Sequence, residues 1–222
     1  MTRDQIQRQL QDVFSRHLGA SSATTDRLVP SGLLSGKLYE AYVLSRVVEQ
    51  LASREGCSLI LRGGTKIKLK TSGGPINRQY PRIEVYRSGN CIAELWTDVE
   101  FLSLSYCSGG KGRPLTAGDF HELDIVITRA GVSGRPEYQD IWLGVECKNT
   151  GYQKGLLREI LGIRRELSLL VEPQPTNFRS WPRTMVPANP SSCLLAYSTD
   201  PNVTEYAAPG TIFGIDFVYE PM

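Results

Sequence analysis

Residues 121–171 read HELDIVITRAGVSGRPEYQDIWLGVECKNTGYQKGLLREILGIRRELSLLV, a stretch that contains two apolar strands and then a helix. The strands HELDIVITR and DIWLGVECKN are separated by GVSGRPEY, a turn rich in Gly and Pro. The helix is predicted from about Gln153 to Val171, because apolar residues recur there at helical spacing: Leu156, Ile160, Ile163, Leu167 and Leu170. An apolar stripe of this kind is expected to cover a sheet.

Two more helices are predicted on the N-terminal side. The first covers the first eighteen residues and can pack on the domain or on a partner, since its apolar residues recur at helical spacing: Ile6, Leu10, Val13, Phe14 and Leu18. A Ser/Thr-rich linker follows from Ala20 to Pro30. The second helix is predicted to begin near Ser35 and to end at about Ser53, before Gly56.

Short strands fill much of the remaining sequence. The segments CSLILR, TKIKLK, RIEVYR, CIAELW and VEFLSLS predict an antiparallel, hairpin-rich run. After the third helix, a proline-rich connection leads to the strands CLLAYST and TIFGIDFVY. The order of helix, several strands, helix and strand predicts an α/β sandwich with a mixed sheet.

The composition is that of an ordinary globular domain. The chain has 222 residues, of which 41% are hydrophobic and 22% are charged, enough to bury one core. No apolar run approaches the roughly 18 residues of a membrane helix, and the polar start lacks the core of a secretory signal, so we expect a cytoplasmic protein without membrane contact. The five cysteines form no C-x-x-C pair and only His17 and His121 are histidines, so any metal is expected to have oxygen ligands.

Charged residues are distributed unevenly along the chain. The formal net charge is only +2, but eight basic and two acidic residues lie between Arg54 and Asn90. The segment from Cys193 onward has four acidic residues and no Lys or Arg. One side of the fold is therefore expected to be positive, which would suit a nucleic-acid partner.

Three charged residues interrupt the two apolar strands quoted first. Asp124 precedes an apolar run, and Glu146 and Lys148 stand two residues apart, so strand alternation places all three side chains on one face. Two carboxylates from adjacent strands can chelate Mg²⁺ together with water and a substrate phosphate. Lys148 would then lie beside the attacking water or the scissile phosphate. The alternative is an exposed ion pair between Glu146 and Lys148 on an edge strand.

This pattern resembles a known motif. Asp124, twenty-one intervening residues and then Glu146-Cys147-Lys148, on an apolar strand followed by a helix, resemble the PD-(D/E)XK nuclease superfamily, the restriction-endonuclease-like fold, over roughly residues 35–199. The resemblance implies an α/β/α sandwich, Asp124 and Glu146 as metal ligands, the Cys147 carbonyl as a further ligand and Lys148 as the catalytic lysine. The proline of the family name is absent, since Glu122-Leu123 precede Asp124, and Glu122 becomes a rival ligand.

Two other residues are candidates for the same site. Glu40 heads the helical row Leu44, Val47 and Leu51, which is otherwise apolar, so its carboxylate needs a partner. In the superfamily that the motif resembles, a glutamate of the first helix similarly reaches the metal site. Gln153, at the start of the third helix, is a candidate contact to substrate or to a metal-bound water. The alternatives are a surface salt bridge for Glu40, a helix N-terminal role for Gln153, and a packed or surface position for His121.

Basic residues on two elements are candidates for nucleic-acid binding. Lys66, Lys68 and Lys70 alternate along TKIKLK and would present three ammonium groups on one strand face, although such a face can also be merely solvated. Lys154, Arg158 and Arg165 share a side of the third helix, where a phosphate partner would relieve their repulsion.

The sequence therefore predicts a metal-dependent nuclease that hydrolyses phosphodiester bonds in DNA, with Mg²⁺ or, in its place, Mn²⁺. RNA is the alternative substrate, and restriction, repair and phage defence are roles that the resemblance leaves open. The alternative class is a nuclease-like module that binds nucleic acid or scaffolds a complex without cutting, with the N-terminal helix as its handle. Residues 1–30 are assigned to that helix and linker and residues 31–222 to the nuclease-like domain; duplex cutting favours a homodimer, and a partner protein is equally open.

Overall fold

The computed structural model describes residues 2–20, 35–64, 72–109, 111–151 and 153–222. Within these ranges the α-helices are α1 (Arg3–Leu18), α2 (Ser35–Ser53), α3 (Leu104–Gly109), α4 (Lys154–Leu167) and α5 (Ala207–Ile212). Short 3-10 helices occupy Ala117–Asp119, Tyr138–Asp140 and Pro201–Tyr206. The two helices predicted on the N-terminal side are confirmed, because α1 and α2 end at the predicted residues.

The central sheet has seven strands among the described residues. Their spatial order is β1 (Ser58–Arg62), β2 (Arg82–Arg87), β3 (Asn90–Leu102), β4 (Phe120–Arg129), β5 (Ile141–Lys148), β8 (Cys193–Ser198) and β9 (Ile215–Tyr219). Neighbours from β1 to β5 are antiparallel, whereas β5, β8 and β9 run parallel. The strands β6 (Leu169–Pro175) and β7 (Met185–Asn189) form a separate antiparallel ribbon. An α/β fold with a mixed central sheet, as predicted, is confirmed.

Two apolar cores lie on opposite faces of this sheet. Along β8, Leu195 and Tyr197 pack in the core that contains the buried residues of α1 and α2. Leu194 and Ala196, which alternate with them, pack with Ile160 of α4. Because the side chains of this buried strand alternate between its two faces, β8 packs against a helical layer on each face of the sheet.

The N-terminal helix belongs to the domain core. Its apolar residues are all buried and pack in the same core as α2: Ile6, Leu10, Val13 and Phe14. The side chain of Thr2 caps the helix by accepting from the N–H of Gln5 at 3.3 Å, and Gly19 ends it at φ 61°, in the left-handed region. The apolar face of α1 is therefore not available as a handle for a partner.

The predicted boundaries were wrong in the middle of the sheet. The segments CIAELW and VEFLSLS form one strand, β3, and the last residues of the second segment enter α3 at Leu104. The break predicted between them corresponds to Asp98, whose φ of 53° places it in the left-handed region while the strand continues. TKIKLK and all of the predicted linker except Ala20 lie outside the described residues.

Two further boundaries near the C-terminus were wrong. The third predicted helix, α4, ends at Leu167 rather than at Val171, because Ser168 is extended and the chain enters β6, which pairs with β7. Leu170 is consequently not part of the buried stripe. The last strand begins at Ile215, since Thr211 and Ile212 complete α5 and Gly214 turns the chain at φ 67°.

In the described part of the chain, none of the helices combines the length and the apolar composition needed to cross a bilayer.

A buried carboxylate joins the end of α2 to the loop that precedes β7. Glu55 accepts hydrogen bonds from the N–H groups of Arg179, Ser180 and Trp181, at 2.6 to 3.1 Å, and forms an ion pair with Arg87 at 2.7 Å. Burial opposes the negative charge, but the hydrogen bonds outweigh it and hold the pKa of Glu55 below its ordinary value. The ionised carboxylate therefore stabilises the connection between the two segments.

We predict that Glu55→Gln lowers the free energy of unfolding by about 3 kcal/mol at pH 7, because it leaves Arg87 and three N–H groups poorly paired. A group whose pKa is lowered in the folded state contributes stability above its unfolded pKa and loses it as the pH falls through the folded one. The difference between wild type and variant should therefore shrink below about pH 4. Urea unfolding followed by circular dichroism measures both effects.

The matched control is Glu49→Gln, which removes the half-exposed pair with Arg46. Exposed pairs contribute about 0–1 kcal/mol, so its loss should be small at every pH. Equal losses in the two variants, or a Glu55→Gln loss that does not change on acidification, would contradict the role assigned to Glu55.

Candidate metal centre

The site lies where β4 and β5 stop pairing with each other. The ladder between them extends from Thr128 and Ile141 to Ile125 and Val145, and beyond Val145 the partner of β5 is β8. At this point the N–H of Cys147 donates to Oδ2 of Asp124 at 2.7 Å. A carboxylate thus takes the place of a backbone acceptor, and Asp124 is fixed between the ends of the two strands.

Three carboxylates converge beside Asp124 from separate elements. Oxygen atoms of Glu40 on α2, Asp98 on β3 and Asp124 on β4 all lie within 4.8 Å of one another. Asp98 lies between Thr97 and Val99, whose partners in β4, Ile125 and Leu123, flank Asp124. The left-handed backbone of Asp98 is one that Asp tolerates better than most residues. Lys37, one turn before Glu40, donates to Glu40 at 2.6 Å and to Asp98 at 2.5 Å.

Glu146 and Lys148 extend the site on the side of α4. Glu146 is buried, and its Oε2 lies 3.1 Å from Nζ of Lys148. Lys148 also contacts Oε1 of Glu159 on α4 at 2.8 Å. Cys147, between them in the strand, packs against the core on the opposite face. The prediction that Glu146 and Lys148 share a face is therefore confirmed.

An open cleft of about 570 Å³ gives access to Asp124, Glu146 and Lys148. Its walls are formed by the ends of β4 and β5 and by the middle of α4, and they include Asp124, Glu146, Lys148, His121, Glu122 and Glu159. A molecule that enters the cleft meets carboxylates on both strands and the ammonium group of Lys148.

Electrostatics show that the site carries more negative charge than its lysines balance. Burial, assisted by the charge of Asp124, raises the pKa of Glu146 to about 8. Burial and the charges of Asp124 and Asp98 raise the pKa of Glu40 to about 7 in spite of Lys37. Burial also raises the pKa of Asp124, although the Cys147 hydrogen bond opposes it. The raised pKa values reflect negative charge that the lysines of the site balance incompletely, and a bound cation would supply the missing positive charge.

The pKa values of the two lysines are raised by the same carboxylates. Burial alone would lower the pKa of Lys37 and of Lys148, but the carboxylates around them outweigh burial and raise both values. Both ammonium groups therefore stay charged. Glu40, Asp98, Asp124, Glu146 and Glu159 with two lysines leave an excess of three negative charges when ionised, most of which one divalent cation would neutralise. Carboxylate oxygens are the ligands that Mg²⁺ and Mn²⁺ prefer, so the donor set fits such an ion.

Sequence reasoning identified much of this centre and missed part of it. Asp124 is common to two groups: it lies beside Glu40, and it lines the cleft together with Glu146 and Lys148, as do His121 and Glu122. Asp98, Lys37 and Glu159 were missed. In the sequence, Asp98 shares even-numbered strand positions with Glu94 and Glu100 and so resembles one residue of a polar strand face. In the structure its left-handed φ of 53° distinguishes it from them.

Other predicted residues lie away from the cleft walls. Gln153 is exposed and is the N-cap residue of α4 without a side-chain capping bond, and Lys154 and Arg158 are exposed on the first turns of that helix. Arg165 borders a different cavity. Cys147 enters the site through its N–H, and the role of its carbonyl stays a prediction. Lys66, Lys68 and Lys70 lie outside the described residues.

The expected positive side is not formed by the arginines of the hairpin region. Each of them is paired with a carboxylate: Arg62 with Glu84, Arg82 with Glu84 and Glu94, Arg78 with Glu94, and Arg87 with Glu55, which follows α2. These residues stabilise the sheet instead of presenting free cations to a phosphate backbone.

Comparison of the chain with protein-family models, curated proteins and solved structures found no match. The chemistry of the converging carboxylates and lysines therefore carries the functional argument.

We predict that Mg²⁺ or Mn²⁺ raises the melting temperature of the wild type, because an ion held only by the folded chain stabilises it by about 2.7 kcal/mol at 100 times Kd. Asp98→Asn and Asp124→Asn should lose most of this rise. Thermal unfolding with and without the ion measures the effect. Asp12→Asn, at an exposed carboxylate of α1, serves as the control, and an undiminished rise in Asp124→Asn would exclude an ion at this centre.

Proposed function

We propose that the protein is a metal-dependent nuclease of the PD-(D/E)XK type with a restriction-endonuclease-like fold, and that DNA is its substrate. One observation carries the proposal: Asp124 and Glu146 lie where the adjacent strands β4 and β5 stop pairing, and Lys148 follows Glu146 by two residues in the same cleft. The α2 glutamate that joins them, and the helix α4 that follows Lys148, support the same assignment.

The carboxylates would hold the ion from rigid elements. Asp124 is fixed by the Cys147 N–H, and Glu40 projects from a helix whose apolar row is buried against the sheet. Asp98 adds a carboxylate from β3, and Glu146 adds one from β5. Such an ion supplies Lewis acidity at a phosphodiester and lowers the pKa of a bound water.

Lys148 has the position of a cation that acts on the reacting groups. Its ammonium group stays protonated, is held by Glu146 and opens into the cleft. A positioned ammonium stabilises negative charge that develops on the phosphate and orients the attacking water. Lys148 is thus proposed as the catalytic lysine. Glu146 is proposed both to bind the ion and to position the ammonium group of Lys148.

Phosphate binding outside the centre is assigned to exposed basic residues on α4. Lys154 and Arg158 lie on the first turns of the helix whose middle borders the cleft. A backbone phosphate next to the scissile one could pair with them, which would fix the register of the strand without reading its sequence. This chemistry is shared by DNA and RNA, so the substrate panel below includes both.

A second candidate function has one observation in its favour. Lys37 already pairs with two of the three converging carboxylates, Glu40 and Asp98. Its ammonium group supplies part of the positive charge that an ion would bring. A nuclease-like module that binds nucleic acid without cutting is therefore the alternative, and it predicts binding without cleavage.

We predict that purified wild-type protein cleaves DNA in the presence of Mg²⁺ or Mn²⁺ and not in EDTA. Glu146→Gln and Lys148→Met should each reduce the rate about 100-fold or more, since each removes a group that stabilises the transition state. Cleavage is followed on gels with supercoiled plasmid, linear duplex, single-stranded DNA and RNA. The control, Glu172→Gln, changes an exposed residue of β6 and should retain full activity.

The outcomes separate the two functions. Cleavage that both site variants abolish supports the nuclease and ranks its substrates. Salt-sensitive binding of nucleic acid with no cleavage in any ion supports the module that does not cut. Equal cleavage by wild type and by Lys148→Met would refute the assignment of the site.

We predict that Glu159→Gln, unlike the two site variants, increases the rate of cleavage. Glu159 pairs with Lys148 from an exposed position and competes with a substrate phosphate for the same ammonium group. Loss of a partly exposed pair is worth about 0–1 kcal/mol, so cleavage should become up to about fivefold faster. Single-turnover rates beside Glu172→Gln test this, and a tenfold loss would instead make Glu159 a required part of the centre.

A further inference from the structure

A second cavity lies beside the C-terminal half of α4. Its volume is about 350 Å³, and its walls include Leu161, Leu170, Pro187 and Phe213 together with Arg164 and Arg165. None of these residues lines the cleft of the metal centre. Most of the wall is apolar, so the two guanidinium groups are the features of this cavity that need an explanation.

Arg164 is buried without an anionic partner. It is 5% exposed and donates to neutral oxygens only: the carbonyl and the hydroxyl of Ser192, each at 2.8 Å, and the hydroxyl of Ser168. Its Nε is buried and has no hydrogen-bond partner. Among the described residues, no carboxylate forms an ion pair with it.

Several other arginines differ from Arg164 because each has a carboxylate partner. Arg183, which precedes β7, forms an ion pair with Asp216 at 2.5 Å. The exposed Arg113 and Arg129 likewise have carboxylate partners. Arg164, the most deeply buried of the four, has none, and burial lowers its pKa to about 10. A buried charge of this kind is costly unless an anion accompanies it.

The mouth of the cavity is apolar and open to solvent. Leu170 is 55% exposed and Phe213 is 37% exposed, and Ile212, next to Phe213, is 63% exposed. Leu170 reaches this position because the chain leaves the helix at Leu167 and enters β6. Large exposed apolar side chains around a concave surface are typical of a ligand site.

We propose that this cavity binds a small amphipathic monocarboxylate, with its carboxylate at the guanidinium groups of Arg164 and Arg165, which line the cavity, and its hydrocarbon part against Leu161, Leu170, Pro187 and Phe213. One negative charge is what the buried guanidinium lacks. The volume lies at the lower end of the range for small-molecule sites, which limits the hydrocarbon part to roughly ten carbon atoms. The site is independent of the proposed nuclease activity.

Decanoate is the probe, and 1-decanol is its uncharged counterpart. Isothermal titration calorimetry on the full chain should show one decanoate per chain, bound at least about tenfold more tightly than 1-decanol, because a charge-assisted hydrogen bond is lost with the alcohol. Decanoate should also raise the melting temperature. The measurement needs no metal ion and no nucleic acid, so failure of the nuclease proposal leaves it interpretable.

Two variants locate the site. Arg164→Met keeps much of the side-chain volume and removes the charge, so the preference for decanoate over 1-decanol should disappear. Leu170→Asp changes an exposed residue at the mouth, where it does not disturb a core, and should weaken decanoate about tenfold or more by repulsion. Arg54→Gln, at an exposed arginine that follows α2, is the control and should bind like the wild type.

The proposal fails if decanoate shows no saturable binding to the folded wild type, or if 1-decanol binds equally well. It fails as well if Leu170→Asp retains wild-type affinity. Light scattering that shows a dimer closing this mouth, with decanoate excluded from it, would assign the apolar surface to a second copy of the chain instead.

Discussion

The hydrogen bond from the N–H of Cys147 to Asp124 is the contact on which the candidate centre depends. It forms where β4 and β5 cease to pair, and it lets an aspartate side chain enter the opening between two buried strands. Without such an acceptor the Cys147 N–H would be left without a partner, and without such a donor a mostly buried carboxylate would be poorly satisfied. The same contact therefore stabilises the divergence of the strands and fixes the charge placed within it.

The remaining groups of the centre follow from the layers of the fold. Glu40 reaches the opening because the row it begins is packed against the sheet, and Asp98 reaches it through a left-handed residue within β3. Glu146 and Lys148 approach from the other face, where α4 covers the strands. Each side chain is carried by a rigid element with a well-packed core behind it, which is the condition for holding several like charges close together.

These relationships explain how far the sequence alone could predict the molecule. Period-2 alternation was sufficient for Glu146 and Lys148, since the two residues are neighbours in one strand, and helical spacing was sufficient for Glu40. Asp98 could not be found in this way, because its place depends on the register between β3 and β4 and on one unusual backbone angle. The end of α4 was missed for a similar reason: Leu170 continues the apolar periodicity, but pairing of β6 with β7 draws the chain out of the helix. Local patterns therefore predicted elements and faces, whereas non-local pairing decided boundaries and distant partners.

The negative charge of the cleft determines how a nucleic acid could approach the centre. The cleft brings Asp124, Glu146, Glu122 and Glu159 towards any entering phosphate, and the arginines of the hairpin region are already paired with carboxylates. A phosphodiester, itself an anion, would be repelled from such a surface until a cation shared its charge with the carboxylates. In the proposed nuclease, the ion therefore serves binding as well as chemistry, and its removal should weaken association near the scissile phosphate in addition to stopping hydrolysis. Basic residues on the first turns of α4 would then hold the flanking backbone, where the acidic cleft no longer dominates the local field.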